Sequence, residues 1–191
     1  MNSVIGVSKK MTDAEFEKFC GENRDLRVER NSNLDVIIMS PVNSLSGNFG
    51  AEILWQLQSW NVAHGRKGLV FDSSAGFMLP DKSILSPDAS WLTLAKWTPL
   101  SAEQKNRFAP VCPDFVIELR SKSDDLNELM EKMKAWINNG AKQAWLIDPY
   151  TETSYLFHDG IADIVTGFDK KLKAHAPLDG FELDLSMLRE I

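Results

Sequence analysis

The chain has 191 residues, 43% hydrophobic and 25% charged, the makeup of a globular protein able to bury a sizeable core in one domain spanning residues 1–191. Acidic residues outnumber basic ones by 27 to 21, and the net charge of −6 excludes a broad basic surface for sequence-independent grip on nucleic acid or anionic lipid. Cys20 and Cys112 form no CxxC pair, and no apolar run approaches the roughly 20 residues that span a bilayer, so a disulfide framework, a zinc site and a membrane segment are set aside.

The N-terminal MNSVIGVSKK lacks the apolar segment of a secretory signal, and a reducing cytoplasmic location is the expectation. Thr12 and Glu15 are spaced as a capping box, with Phe16 and Phe19 on one face of the helix it opens. Residues 26–30 and 35–39 have strand composition, and NSN between them predicts a hairpin. Phe49, Ile53, Leu57 and Trp60 recur at helical spacing, predicting an amphipathic helix over 46–60 ended by Gly65. Short strands at 68–72, 76–79 and 88–92 are expected to form a meander, and Trp97 to Pro110 reads as a connection.

A strong strand at 114–119, a helix at 124–138 and a strand at 142–148 closed by Pro149 make a βαβ-like unit, with Gly140 at the helix C-cap. A connection of this length joins parallel strands. The tail from Thr153 to Phe181 reads as hairpins around HDG and DKK. The whole predicts an α/β sandwich around a mixed sheet.

Strand 114–119 carries Asp114 and Glu118 on one face, with Val116 and Arg120, opposite Phe115, Ile117 and Leu119. A carboxylate in mid-sheet needs a cation or donors to offset its desolvation. Asp114 cannot share an ion with Glu118, because four strand residues span about 13 Å while oxygen ligands of Mg²⁺ sit about 4 Å apart or less. Asp88, entering the neighbouring strand, is the better partner. Asp114 and Asp148 read as strand ends. On the following helix Leu126, Leu129, Met130, Met133, Trp136 and Ile137 form one apolar arc bordered by Lys132 and Lys134. Each lysine has two readings, an amine turned inward or a stem laid along the apolar edge with its ammonium in water. Glu52 flanks the stripe of the earlier helix and reads, alone, as a solvated glutamate.

Pro87–Asp88, a strand ending in VIEL and a helix with a lysine resemble the layout of the PD-(D/E)XK nuclease superfamily. SPDASW, CPDFVIELRS, DLNELMEKMKAWINNG and QAWLIDP together resemble the Uma2 (DUF820) family of restriction-endonuclease-like proteins, abundant in cyanobacteria, from residue 12 to residue 148. The resemblance implies a restriction-endonuclease-like fold, a mixed central β-sheet flanked by helices. Arg120 stands two after Glu118 where a lysine is usual, so the resemblance moves the lysine role to Lys132. Lys122 replaces a proline common in relatives, and LPDKSILSPD departs from their LPNG-like loop.

The resemblance implies a metal-dependent endonuclease acting on DNA at a local site. Asp88, Glu118 and the carbonyl of Leu119 would hold Mg²⁺ or Mn²⁺, Lys132 would orient water and stabilise phosphoryl charge, and Glu52 would complete the shell through water. Arg120 has two readings, a phosphate contact or the ion-pair partner of Glu118. A homodimer is implied because two strands must be cut. Two alternatives remain, a non-catalytic binding or assembly module, favoured by the scarcity of basic clusters, and hydrolysis of another phosphorylated or small-molecule substrate. His64, His158 and His175 follow no metal or nucleophile spacing, and no Walker loop or dinucleotide fingerprint is present.

Overall fold

The computed structural model describes residues 7–189. Strand β1 (Val7–Lys10) leads into helix α1 (Asp13–Glu22), whose capping box is formed: the Thr12 hydroxyl accepts from the Glu15 amide, and the Glu15 carboxylate accepts from the Thr12 amide. Strands β2 (Arg27–Arg30) and β3 (Asp35–Met39) form the expected hairpin. Helix α2 (Ser44–Ala63) is capped by Asn43 and buries Phe49, Ile53 and Leu57, and Gly65 follows its end at φ 83°.

The meander expected next is not formed. Strand β4 (Gly68–Asp72) pairs with β7 (Ala89–Thr93), whereas β5 (Phe77–Met78) and β6 (Ile84–Leu85) pair with each other, and β6 pairs with β2 of the hairpin. The two short strands are drawn away from β4 because their apolar side chains pack elsewhere. Phe77 and Leu85 join the core under Met133 and Trp136, and Ile84 joins that beneath α1.

The connection after β7 holds two single-turn helices, α3 (Leu94–Trp97) and α4 (Ala102–Lys105). The βαβ unit follows as read: β8 (Phe115–Leu119), α5 (Leu126–Asn138) capped by Asp125, and β9 (Gln143–Asp148) parallel to β8, with Gly140 at φ 108°. Strands β10 (Thr153–His158) and β11 (Ile161–Thr166) form the hairpin around HDG. No hairpin turns at DKK. Strand β12 (Lys171–Lys173) pairs with β13 (Glu182–Asp184), beyond Phe181, because Phe168, Leu172, Leu178 and Phe181 between them fold into the core beneath α2. A 3₁₀ turn, Leu185–Leu188, ends the described chain.

The central sheet is mixed, with order β11-β10-β9-β8-β7-β4, and only its β8–β9 pair is parallel. One face packs on α2 and the tail through Ala89, Trp91, Phe115, Ile117, Leu119, Trp145 and Ile147. The other packs on α5 through Val116, Ala144, Leu146 and Phe157. Coverage of both faces explains why β8 and β9 read as nearly continuous apolar runs. At the β4 edge Gly68 admits the Trp91 indole and the Leu92 carbonyl, since a Cβ there would lie 2.4 Å from each. The Gly68 carbonyl accepts from Asn61, whose Oδ1 accepts from Trp91 Nε1.

The second sheet, β1-β3-β2-β6-β5, is antiparallel throughout. Strand β2 sends Val28 and Arg30 towards α1, leaving Arg27 and Glu29 on the opposite face. Arg30 is wholly buried, donating to Asp13, Met11 O and Lys82 O, with its guanidinium 5.4 Å from the Phe16 ring centre. Its removal strands the buried Met11 carbonyl, frees that of Lys82 and opens a cavity. Arg30→Ala is expected to lose about 3 kcal/mol or more of unfolding free energy, measured by urea titration. A loss below about 1 kcal/mol would show that α1 is not anchored through this side chain.

Candidate active site

The two sheets meet at a cavity of about 680 Å³, walled by β2, β3, the segment entering β7, the end of β8 and helix α5. Three carboxylates and two cations occupy its floor: Glu29, Asp88, Glu118, Arg27 and Lys132. The register that sets Ala89 opposite Ile117 carries one step further to set Asp88 beside Glu118, across the β7–β8 pair. Asp88 Oδ2 accepts from the Leu119 amide at 2.8 Å, and Oδ1 accepts from Arg27 Nη2 at 3.0 Å. Asp114 lies at the far end of β8, where it accepts from the Thr93 amide and pairs with Lys96 at 2.8 Å.

Glu118 shares its face of β8 with Val116, towards α5, and is almost wholly buried. Its Oε1 meets two donors, Trp136 Nε1 at 3.0 Å and Lys132 Nζ at 2.9 Å. Burial pushes the Glu118 carboxyl up to about 7; Lys132 opposes this shift, and Asp88 and Glu29 add to it. Lys132 turns inward from the border of the apolar arc, and its ammonium also lies 2.9 Å from Glu29 Oε1. Burial works against the Lys132 charge, but Glu118 and Glu29 outweigh it and hold the ammonium above its ordinary range. Lys134, on the opposite border, is exposed and pairs with Glu131.

Asp88, Glu118, Leu119 and Lys132 are therefore brought to one cavity, whereas Glu52 is not. Helix α2 lies on the opposite face of the central sheet, and Glu52 there accepts from Gln56, which is itself tied to the Asp184 backbone. A helix-face stripe fixes which side of α2 is apolar but not which sheet face it covers. Glu29 occupies the place foreseen for Glu52, accepting from the Ser86 amide at 2.9 Å as well as from Lys132. Glu29 and Arg27 carried one signal in the sequence, opposite charges two apart on a single face of a predicted strand. Arg120 is not the ion-pair partner of Glu118: it pairs with the buried Asp148 at 2.7 Å and donates to the Asp124 carbonyl.

The donors on the cavity floor are hard oxygens, the chemistry that suits Mg²⁺ or Mn²⁺. Three ionised carboxylates against two cations also leave the floor with one net negative charge, which favours a further cation. Among the described residues no three Asp, Glu, His or Cys side chains are already gathered as a metal-binding group. Lys132 and Arg27 hold those oxygens instead. The residues thus fit a divalent ion in chemistry and charge, with ammonium and guanidinium groups at the oxygens it would take.

A mixed sheet bounded by helices, with a lysine between carboxylates at the end of its parallel pair, defines a restriction-endonuclease-like protein. The chain belongs to the Uma2 family, described as "Putative restriction endonuclease", whose profile matches residues 13–186. A solved structure of a "putative nuclease belonging to DUF820" from Anabaena variabilis ATCC 29413 superposes with a TM-score of 0.71 at 16% identity, over 84% of this chain and 88% of that one. It shares the fold. A DrdV–DNA complex overlaps far more loosely, at TM-score 0.37 and 11% identity, over 63% of this chain and 12% of that one. No curated protein matches the sequence. Among the described residues no helix is long and apolar enough to cross a membrane.

Proposed function

We propose that the protein is a metal-dependent endonuclease that hydrolyses DNA phosphodiester bonds at the cavity between its sheets. The observation that carries this reading is the Lys132 ammonium, buried 2.9 Å from both Glu118 and Glu29 on the floor that also holds Asp88. Asp88, Glu118 and the Leu119 carbonyl would hold Mg²⁺ or Mn²⁺, which when bound polarises the phosphate and lowers the pKa of a coordinated water. The Leu119 amide fixes the Asp88 carboxylate, and Trp136 fixes that of Glu118. Lys132 supplies a positive charge aimed at the space where phosphoryl oxygens gain charge, and Glu29 keeps that ammonium in position.

The experiment is Mg²⁺- or Mn²⁺-dependent cleavage of single- and double-stranded DNA by the purified protein, with chelator as control. Cleavage that chelator stops is expected. A second reading, a binding or assembly module that keeps the fold, draws on the acidic surroundings of the cavity, where Asp81, Asp124, Glu128 and Glu131 join the floor carboxylates. Absence of cleavage with every divalent ion and DNA form would favour that module.

A further inference from the structure

Arg27 is the second cation of the cavity floor, and it is held differently from Arg30, the buried arginine three residues further along the same strand. Arg30 anchors through three hydrogen bonds and is wholly enclosed. Arg27 engages through one nitrogen alone, Nη2, which donates to Asp88 Oδ1 at 3.0 Å and to the Ser86 carbonyl at 3.4 Å. Its Nε, like that of Arg30, is buried with no hydrogen-bond partner, but the Arg27 side chain is 30% exposed where that of Arg30 is 0% exposed. A guanidinium offers five donors in a rigid fork, and a structural pair with a carboxylate ordinarily uses two of them side by side. The contact with Asp88 is single, through Nη2 alone.

We propose that Arg27 is an exchangeable counter-ion of Asp88: it neutralises the carboxylate while the site is free of metal and is displaced when a divalent cation binds. The inference rests on the metal-dependent reading above. Charge balance supports it. Glu29, Asp88 and Glu118 carry three negative charges; Lys132 and a divalent ion together supply three positive ones, so Arg27 becomes surplus once the ion is in place. Position supports it too, because the Leu119 amide already takes Asp88 Oδ2 and Arg27 takes Oδ1, the remaining oxygen of that carboxylate. Lys132 cannot play this part, being enclosed between two carboxylates with 16% of its side chain exposed. Arg27 thereby keeps a crowded acidic floor stable before loading and sets how readily the ion enters.

The test is Mn²⁺ binding by calorimetry to the parent and to Arg27→Gln. Removing the competitor is expected to tighten binding about tenfold, equivalent to about 1.4 kcal/mol. An anchoring role, in which Arg27 holds Asp88 in place for the ion, predicts weaker binding instead. Equal or weaker affinity in a folded Arg27→Gln protein overturns the proposal while leaving the metal site standing, whereas no Mn²⁺ binding by either protein overturns both. A measurement on the parent does not depend on the folding of that variant: Mg²⁺ titration followed through arginine side-chain ¹⁵N–¹H resonances, with Arg27 assigned by the signal missing from Arg27→Lys. The Arg27 Nε signal is expected to move in step with saturation of the site, and a signal that stays fixed at saturation overturns the proposal.

Discussion

Lys132→Ala is expected to lower DNA cleavage by about 10² to 10³, the range for removing a donor that stabilises charge in the transition state. The structure adds a cost to folding that the helical wheel did not carry. Lys132 is the common ion-pair partner of Glu29 and Glu118, whose side chains are 5% and 4% exposed. Without the ammonium, two carboxylates face each other in a poorly hydrated space, and one must take up a proton or the fold must loosen. A loss of about 3 kcal/mol at neutral pH is expected, shrinking in acid as the carboxylates protonate. Urea titration and cleavage measured on the same preparation separate the two effects. Lys134→Ala is the control, because an exposed pair three residues apart on a helix is worth a few tenths of a kcal/mol. Undiminished cleavage by a folded Lys132→Ala protein would remove Lys132 from the chemistry.

The parts of this site visible in the sequence are those governed by local periodicity. The βαβ unit shows itself because two buried strands and an amphipathic helix each carry a strong pattern, and the period of β8 alone turns Glu118 away from Phe115 and Ile117. Spacing along the strand sufficed to exclude Asp114. The wheel placed Lys132 and Lys134 on opposite borders of the arc but left open which would turn inward; that choice is made by Glu29, 103 residues away in sequence. Arg27 and Glu29 were out of reach for the same reason. They reach the cavity because β6, two residues long, breaks from the neighbourhood of β4 and pairs with β2 at Arg30 and Ile84. A two-residue strand has no period from which to read a partner. Glu52 fails in the converse way, since its own helix is patterned clearly while the sheet face that helix covers depends on packing by Phe168, Leu178 and Phe181 from the far end of the chain.

Glu118→Gln is expected to abolish divalent-ion binding while raising the stability of the metal-free protein at pH 8. Burial lifts the folded-state pKa of Glu118 to about 7 from the ordinary 4.5, so between those values the native state holds a proton that the unfolded chain has released. Stability contributed by this group is therefore present below about pH 4.5 and declines as pH rises towards 7. Glutamine does not titrate, and its carbonyl oxygen can still accept from Trp136 Nε1 and Lys132 Nζ, the two donors that address Glu118 Oε1. The variant keeps those contacts and drops the charge beside Asp88 and Glu29, leaving Glu29 as the ion-pair partner of Lys132. A gain of about 1–2 kcal/mol at pH 8, disappearing by pH 4, is expected in chemical denaturation followed across that range. The same titration discriminates between roles for the carboxylate. If Glu118 existed chiefly to pair with Lys132, its neutralisation would weaken a buried ion pair and lower stability at pH 8, and the difference from the parent would shrink in acid from the opposite side. A variant less stable than the parent at pH 8 would thus identify Glu118 as a structural partner of Lys132, and a more stable one as a charge kept in the cavity at the expense of the fold.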